Sequence, residues 1–579
     1  MKKSNPDTQI NFQNVGKQAV GMGQWNKDTA ILITDQNQVI SHRKIIRRWN
    51  RLSRLQRSLV YAVLIVTAII LGFLYYSRLY DVSNVNKDVA AEEISKNFTL
   101  VIEGVAEAAH TQKTVSESET FERPIFTGPS NARQYAVVQS FKHAWKGYKE
   151  HAWGHDNVKP VSGMAYDWFS LGLTIVDGLD TAFIMGLNKE YEEGKEWIRN
   201  ELVFTKNKDV NFFEVTIRVL GALLTNYHFS QDDMFLKKAL DLGDRLMSAF
   251  QSPSGIPHSD VNLGARTAHA PEWSHYSTTA EVSTVQLEFR ELSRASKNPR
   301  FEQAAAAVSQ KIHALPKKHG LVPIFLNPNT GQFLRHATIT LGARGDSYYE
   351  YLLKQWLQTG KTINYLRDDY LSAMEGVRDL LAKRSMPNKL LFIGELSGGS
   401  EAFDPKMDHL TCFLPGTLAL GHANGLPDWH MTMAEELLYT CYLTYAAHPT
   451  FLAPEITHFN MASLTSDMYT KTADAHSLLR PEFVESLWYM YQITGNTTYQ
   501  DWGWQIYQSF EKYARVQHGY SSLTNVKNEN PVHRDLMETF FLSETLKYMY
   551  LLFSDDRYVL DLTKFVLNSE AHPLPIHAH

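Results

Sequence analysis

The chain has 579 residues, 44% of them hydrophobic and 21% charged, with a net charge of −5. That is apolar material for a large buried core, and the length alone would permit two or three domains. The mildly acidic balance does not suggest a protein built to neutralise nucleic-acid phosphates.

Residues 1–40 are polar and show no periodicity, which predicts a tail without a fold of its own. Between Ser41 and Arg57 stand seven basic residues and no acidic one. Leu59 to Tyr76 follows as 18 residues without a charge, just long enough to cross a bilayer. The basic flank places 1–58 in the cytosol and the remainder in the lumen. A cleaved signal peptide fits less well, because the apolar run begins nearly sixty residues into the chain and no small-residue cleavage site follows. The expectation is a type II signal anchor over 59–76. Residues 77–130, rich in Ser, Thr, Glu and Lys, read as a lumenal stem.

From about Asn131 to the end, helical periodicity dominates, with clear segments at 138–148, 215–227, 282–292, 348–358, 483–494 and 545–553. Short Gly/Pro/Asn punctuation separates them, strand-like alternation is scarce, and 131–579 reads as one all-α domain. Polar groups recur just ahead of these helices: Glu214, Glu281, Asp346, a point near His409, then Glu482 and Glu544, at intervals of 62 to 68 residues. Such a period suggests repeated helical hairpins, and closing them into a ring would gather their ends at one centre. In Leu478–Tyr491, Pro481 suits a helix first turn, and Glu482 and Glu485 share a face at the mouth of an apolar helix. For that stretch alone, stabilisation of the helix N-terminus explains the pair as well as catalysis does; the recurrence favours catalysis. The two cysteines, Cys412 and Cys441, lie 29 residues apart in a body predicted to be lumenal, so they are expected to pair. Asn97-Phe98-Thr99 and Asn496-Thr497-Thr498 are glycosylation sequons on the same side.

The body resembles the class I α-1,2-mannosidases, glycoside hydrolase family 47. The motifs that carry the likeness run through it in order. They include Ala144-Trp145-Lys146-Gly147-Tyr148, Gly172–Thr181, Asp346–Gln355 (DSYYEYLLKQ) and Lys406-Met407-Asp408-His409-Leu410. Arg480–Ser486, Asp501-Trp502-Gly503-Trp504 and Ser569–Pro575 complete them. The resemblance implies an (αα)7 barrel, one calcium ion, and inverting hydrolysis of α-1,2-linked mannose on high-mannose N-linked glycans of glycoproteins. Arg344, two residues before Asp346, resembles the endoplasmic-reticulum type; Golgi members usually carry leucine there. It implies selection of a single middle-branch mannose. Trimming in the early secretory pathway would in turn feed glycoprotein quality control and degradation. Without the resemblance, Arg344 would simply pair with Asp346 or Glu350.

Inverting hydrolysis needs an acid on the leaving oxygen and a base that activates water on the opposite ring face. By resemblance Glu482 is the base, while Glu214 and Asp346 are both candidate acids; Glu214 is favoured, with Asp346 orienting or sharing the role. Arg218, four residues after Glu214, should meet it on a helix face. Glu281, Glu350, Arg480, Glu485, Glu544 and Glu570 are expected around the sugar, His409 matches the family's site histidine, and Phe540 matches the hydrophobic platform beneath the mannose. Calcium is expected at Ser569, where the family has threonine. Serine keeps both oxygens but loses the β-branch that stiffens χ1, which predicts weaker binding. The rival readings are a Golgi-type enzyme with broader branch use and a lectin-like degradation factor of the same fold; Arg344 disfavours the first, and the intact Glu214, Asp346 and Glu482 set the second.

Overall fold

The computed structural model describes residues 124–398 and 402–577. The tail, the apolar segment 59–76 and the stem up to residue 123 lie outside the described residues. Among the described residues no helix is long and apolar enough to cross a membrane.

The periodic segments become fourteen principal helices among the described residues. In chain order these are α1 (Ala132–Ala152), α2 (Leu173–Ile184), α3 (Asn188–Asn200), α4 (212–230) and α5 (Asp233–Leu246). Next come α6 (Gln286–Ser296), α7 (Arg300–Ala314), α8 (Asp346–Gln358), α9 (Asn364–Gly376) and α10 (Leu414–Ala423). The last four are α11 (Trp429–Ala446), α12 (Glu482–Thr494), α13 (Thr498–Ser509) and α14 (Leu546–Leu552). Each even-numbered helix packs on both even-numbered neighbours, and the contact of α14 with α2 closes the circuit. The odd-numbered helices cover it from outside, α1 against α14 and each other one against the helix before it.

Composition explains which helix goes where. Every residue of α8 from Ser347 to Gln358 is buried, as an inner helix enclosed on all sides requires. The outer α3 buries only Tyr191, Gly194 and Ile198 and turns its charged residues to water. Left-handed residues at Gln231, Lys297 and Gly495 stop α4, α6 and α12, so the chain can reverse into the next outer helix.

Three expectations change in detail. The periodic run 282–292 is two helices, because Thr284 and Val285 leave helical geometry between Thr279–Ser283 and α6. The helix after Pro481 starts at Glu482, so Pro481 is its cap and not part of its first turn. The body is mostly helical but not purely so: among the described residues eight small antiparallel sheets decorate it, with strands of two to four residues, too short to leave a readable alternation. One of them matters for the site. The hairpin of Phe565–Leu567 and Pro573–Pro575 packs against α4, α6 and α8, and its tip carries Ser569 and Glu570.

The stretch 124–130 rests on the body as well, with Phe126 in edge contact with Phe183 and Phe229. Cys412 and Cys441 form the expected disulfide, linking the 3-10 turn His409–Phe413 to the outer helix α11.

Candidate active site

Residues at or just before the starts of α4, α6, α8, α10, α12 and α14 meet in one cavity, so the polar groups there collect at one end of these helices. Glu214 lies in the first turn of α4, Glu281 in the short helix before α6, Asp346 at the start of α8 and Glu482 at the start of α12. Glu544 comes from the π turn Phe541–Thr545 that leads into α14. A second π turn, Thr216–Leu220, carries Arg218 within α4; such widened turns are frequent where a helix must aim a functional side chain.

These groups line a cavity of about 280 Å³ together with Arg344, Glu350, Arg480, Glu485, Phe540, Ser569 and Glu570. His409 stands directly behind Glu482. The structure therefore brings together every site residue expected from the sequence.

The carboxylates occupy contrasting surroundings. Glu482 Oε2 meets His409 Nδ1 at 2.8 Å, and Arg480 Nη1 stands 3.9 Å from Oε1. Burial is the largest influence on Glu482 and opposes its charge, but His409 and Arg480 together outweigh it and hold the carboxyl below the ordinary glutamate value. Asp346 accepts a bond from Ser347 N at 2.8 Å. Burial above all, then the nearby charges of Glu350, Glu482 and Asp408, pushes its carboxyl up to about 7. Within one cavity, the surroundings thus favour the ionised form of Glu482 and the protonated form of Asp346.

Glu214 gives Oε2 to Arg218 Nε at 2.9 Å, the contact expected from their spacing. The same guanidinium bonds Glu570 and reaches Asp177 at 3.4 Å and Thr539 Oγ1 at 3.2 Å. Arg480 Nε donates to Glu455 at 2.6 Å and its guanidinium stands 5.7 Å from the centre of the Phe540 ring, tying the platform to the base. Glu281 is held by Ser259 at 3.2 Å and Asn211 at 3.4 Å.

On the floor, Ser569 Oγ bonds Glu350 Oε2 at 3.0 Å and Ser569 N bonds Tyr351 at 3.2 Å. Lys354 is buried between Glu350, which it bonds directly, and Glu485 at 3.6 Å. Burial pushes Glu485 up to about 8 in spite of Lys354, and it drives Glu544 and Glu570 well above the ordinary range too, each with a further push from neighbouring carboxylates. A floor of hydroxyl and carboxylate oxygens, with more buried acids than cations to balance them, suits a hard divalent cation. Among the described residues no three His, Cys, Asp or Glu side chains converge to ligate an ion directly. The donor set therefore fits an ion held by Ser569 and by waters on the carboxylates.

Arg344 does not pair with Asp346 or Glu350. Its guanidinium stacks 4.6 Å above the Trp273 ring and lies 5.6 Å from Phe325, at the open rim. Its backbone is left-handed (φ 74°), fixed by Ala280 N on its carbonyl at 3.0 Å. A non-glycine residue held there is a strained position of the kind that collects at binding sites. The ion pair fails because the backbone aims the side chain outward, onto aromatic faces.

The sequence reading missed three side chains. Trp273 supports Arg344, Lys354 on α8 offsets part of the floor's negative charge, and Tyr445 reaches in from α11 to His409 Nε2 at 2.7 Å.

The sequence model of Glycosyl hydrolase family 47 matches residues 140–576. The chain belongs to this family. It is 55% identical over 451 residues to the endoplasmic reticulum mannosyl-oligosaccharide 1,2-alpha-mannosidase of Homo sapiens, a match covering 77% of this chain and 64% of the human protein. With the protein of the same name from Rattus norvegicus it shares 53% over 479 residues, 80% of this chain and 73% of the other. Among solved structures, an alpha-1,2-mannosidase from Trichoderma reesei superposes with a TM-score of 0.73 at 26% identity, covering 78% of this chain and all of that one. As a family 47 chain, this protein is a glycoside hydrolase, and the ring of helices with its acidic cavity is the family's fold.

Proposed function

We propose that this protein removes α-1,2-linked mannose from high-mannose N-linked glycans by inverting hydrolysis, with Glu482 as base and Asp346 as acid. The observation that carries the assignment is the opposed setting of the two carboxyls in one cavity: His409 and Arg480 keep Glu482 ionised, and burial among other acids keeps the proton on Asp346. Family membership and the activity for which relatives at 53% and 55% identity are named support the substrate class.

In the reaction, water bound at Glu482 gives it a proton while its oxygen forms a bond to the anomeric carbon. The glycosidic C–O bond breaks on the opposite face, and the leaving oxygen takes the proton of Asp346. The released mannose therefore carries the β configuration, and both carboxyls return to their starting states by exchange with solvent. We place the acid at Asp346 rather than at Glu214, which already gives an oxygen to Arg218 and is left to orient the sugar or a bridging water. Phe540 lies under the ring. A calcium ion would be held by Ser569 Oγ and carbonyl oxygen with waters on the surrounding carboxylates; when bound, it supplies charge that orients sugar hydroxyls.

Arg344, standing on Trp273 at the rim, offers five N–H donors where the glycan's other branches leave the cavity, and selects the middle-branch mannose. The apolar segment 59–76 anchors the chain in the endoplasmic-reticulum membrane as a type II protein with the body in the lumen, in agreement with the Cys412–Cys441 disulfide. The test of the acid and base is a variant pair. Glu482→Gln and Asp346→Asn each lose hydrolysis of a nine-mannose glycan while retaining binding of the glycan. If Asp346→Asn keeps most of its activity and Glu214→Gln loses it, the acid moves to Glu214.

A further inference from the structure

Glu482 does not stand on His409 alone. His409 Nδ1 meets Glu482 Oε2 at 2.8 Å, and the opposite ring nitrogen, Nε2, meets the hydroxyl of Tyr445 at 2.7 Å. His409 and Tyr445 are both buried, the residues at 7% and 2% exposure. Three groups therefore form one chain from α11, through the 3-10 turn His409–Phe413, to the first residue of α12.

For a neutral imidazole the hydrogen inventory sets the direction of this chain. An ionised carboxylate only accepts, so Nδ1 must carry the hydrogen that it donates to Glu482. In a neutral imidazole Nε2 is then an acceptor, and the only group that satisfies it is a donating Tyr445 hydroxyl. A hydroxyl donating to Nε2 draws electron density from the ring and strengthens the Nδ1 donor, as bonds in series do. The scaffold keeps the pair in register. Cys412 lies on the same turn as His409, Cys441 lies one helical turn before Tyr445 on α11, and the disulfide joins the two.

We propose that Tyr445 is a positioning residue for the hydrolysis: it fixes His409 in the Nδ1–H tautomer, so that Glu482 is kept as a carboxylate with one oxygen occupied and the other free for water. The inference rests on the glycosidase reading above. The groups that also face Glu482 or Tyr445 are Arg480, Glu455, Glu485, Glu544 and Asp346, and all of them are left in place by a change at Tyr445.

The experiment measures kcat and KM of the full chain for a nine-mannose glycan across pH, for wild type, Tyr445→Phe, His409→Ala and the double variant. Tyr445→Phe is expected to lower kcat about tenfold with KM little changed, less than the roughly 10²–10⁴-fold that a general base itself contributes, because the base stays in place. The acidic limb of its kcat profile should move to higher pH, because a weaker donor at Nδ1 leaves Glu482 easier to protonate. In the His409→Ala background the same change should do nothing further. His409→Asn, whose amide keeps a donor toward Glu482 but cuts the link to Tyr445, should reproduce the Tyr445→Phe limb and so serves if Tyr445→Phe folds poorly. An acidic limb at the wild-type position in both Tyr445→Phe and His409→Asn overturns the inference, as does an equal loss of kcat with and without His409. Wild type that fails to hydrolyse the glycan overturns the glycosidase reading first, and is seen before any variant is compared.

Discussion

Replacing Asp346 by asparagine should destroy activity and stabilise the folded protein at alkaline pH. The carboxyl of Asp346 is pushed from 3.8 to about 7, mainly by burial and then by Glu350, Glu482 and Asp408. The folded chain therefore keeps a proton that the unfolded chain releases, and the contribution of this group to stability is complete below the unfolded value and lost as pH rises through the folded one. That rise, at about 1.4 kcal/mol for each tenfold change in proton affinity, sets an upper limit of about 4 kcal/mol on the cost of holding Asp346 ionised in the fold. Rearrangement of the neighbouring acids reduces this, and about 1–3 kcal/mol is expected to remain. For a body of this size that corresponds to a rise in Tm of a few degrees or less. Thermal unfolding of wild type and Asp346→Asn, each with chelator at pH 4, 6 and 8.5, measures it. The difference should be small at pH 4, grow through pH 6 and level off above about 8. A variant less stable than wild type at pH 8.5, or a difference that does not change with pH, refutes the description of Asp346 as a buried acid kept protonated.

Three further outcomes follow from the site. The rate should fall above about pH 7 as Asp346 loses its proton, and at the acid end only below the ordinary glutamate range, where Glu482 gains one; a kcat/KM profile on a nine-mannose glycan reads both limbs. Ser569→Thr should bind calcium several-fold more tightly, because the β-branch stiffens χ1, and a calcium titration in which wild type binds tighter contradicts this. Arg344→Leu should release several mannoses at comparable rates, and Trp273→Ala should do so partly, since it removes the aromatic face on which the guanidinium rests; product isomers resolved over time decide it, and unchanged single-mannose release by Arg344→Leu removes the residue from branch choice.

The recurrence of polar groups at 62 to 68 residues was legible because one hairpin of the ring takes about that much chain, and α4, α6, α8, α10, α12 and α14 begin at the same cavity. Glu214, Glu281, Asp346, Glu482 and Glu544 could be found from that period alone. Ser569 and Glu570 could not: they ride on a hairpin between α4, α6 and α8 that has no place in the period, and only the family motif marked them. Arg344 was found but its partner was not, since a left-handed backbone that aims a side chain onto Trp273 leaves no periodic trace. Lys354 reads in sequence as an ordinary solvent-facing lysine on a helix, and its burial between Glu350 and Glu485 depends on neighbours more than a hundred residues apart. Tyr445 belongs to an outer helix, where an aromatic residue signals core packing.

The most direct test is to incubate the purified protein with a free nine-mannose N-glycan, with and without a calcium chelator, and to resolve the products as isomers and as anomers. The account predicts release of one middle-branch mannose as its β anomer, abolished by the chelator. Release of the α anomer, hydrolysis that continues without calcium, or binding of the glycan without turnover would contradict it.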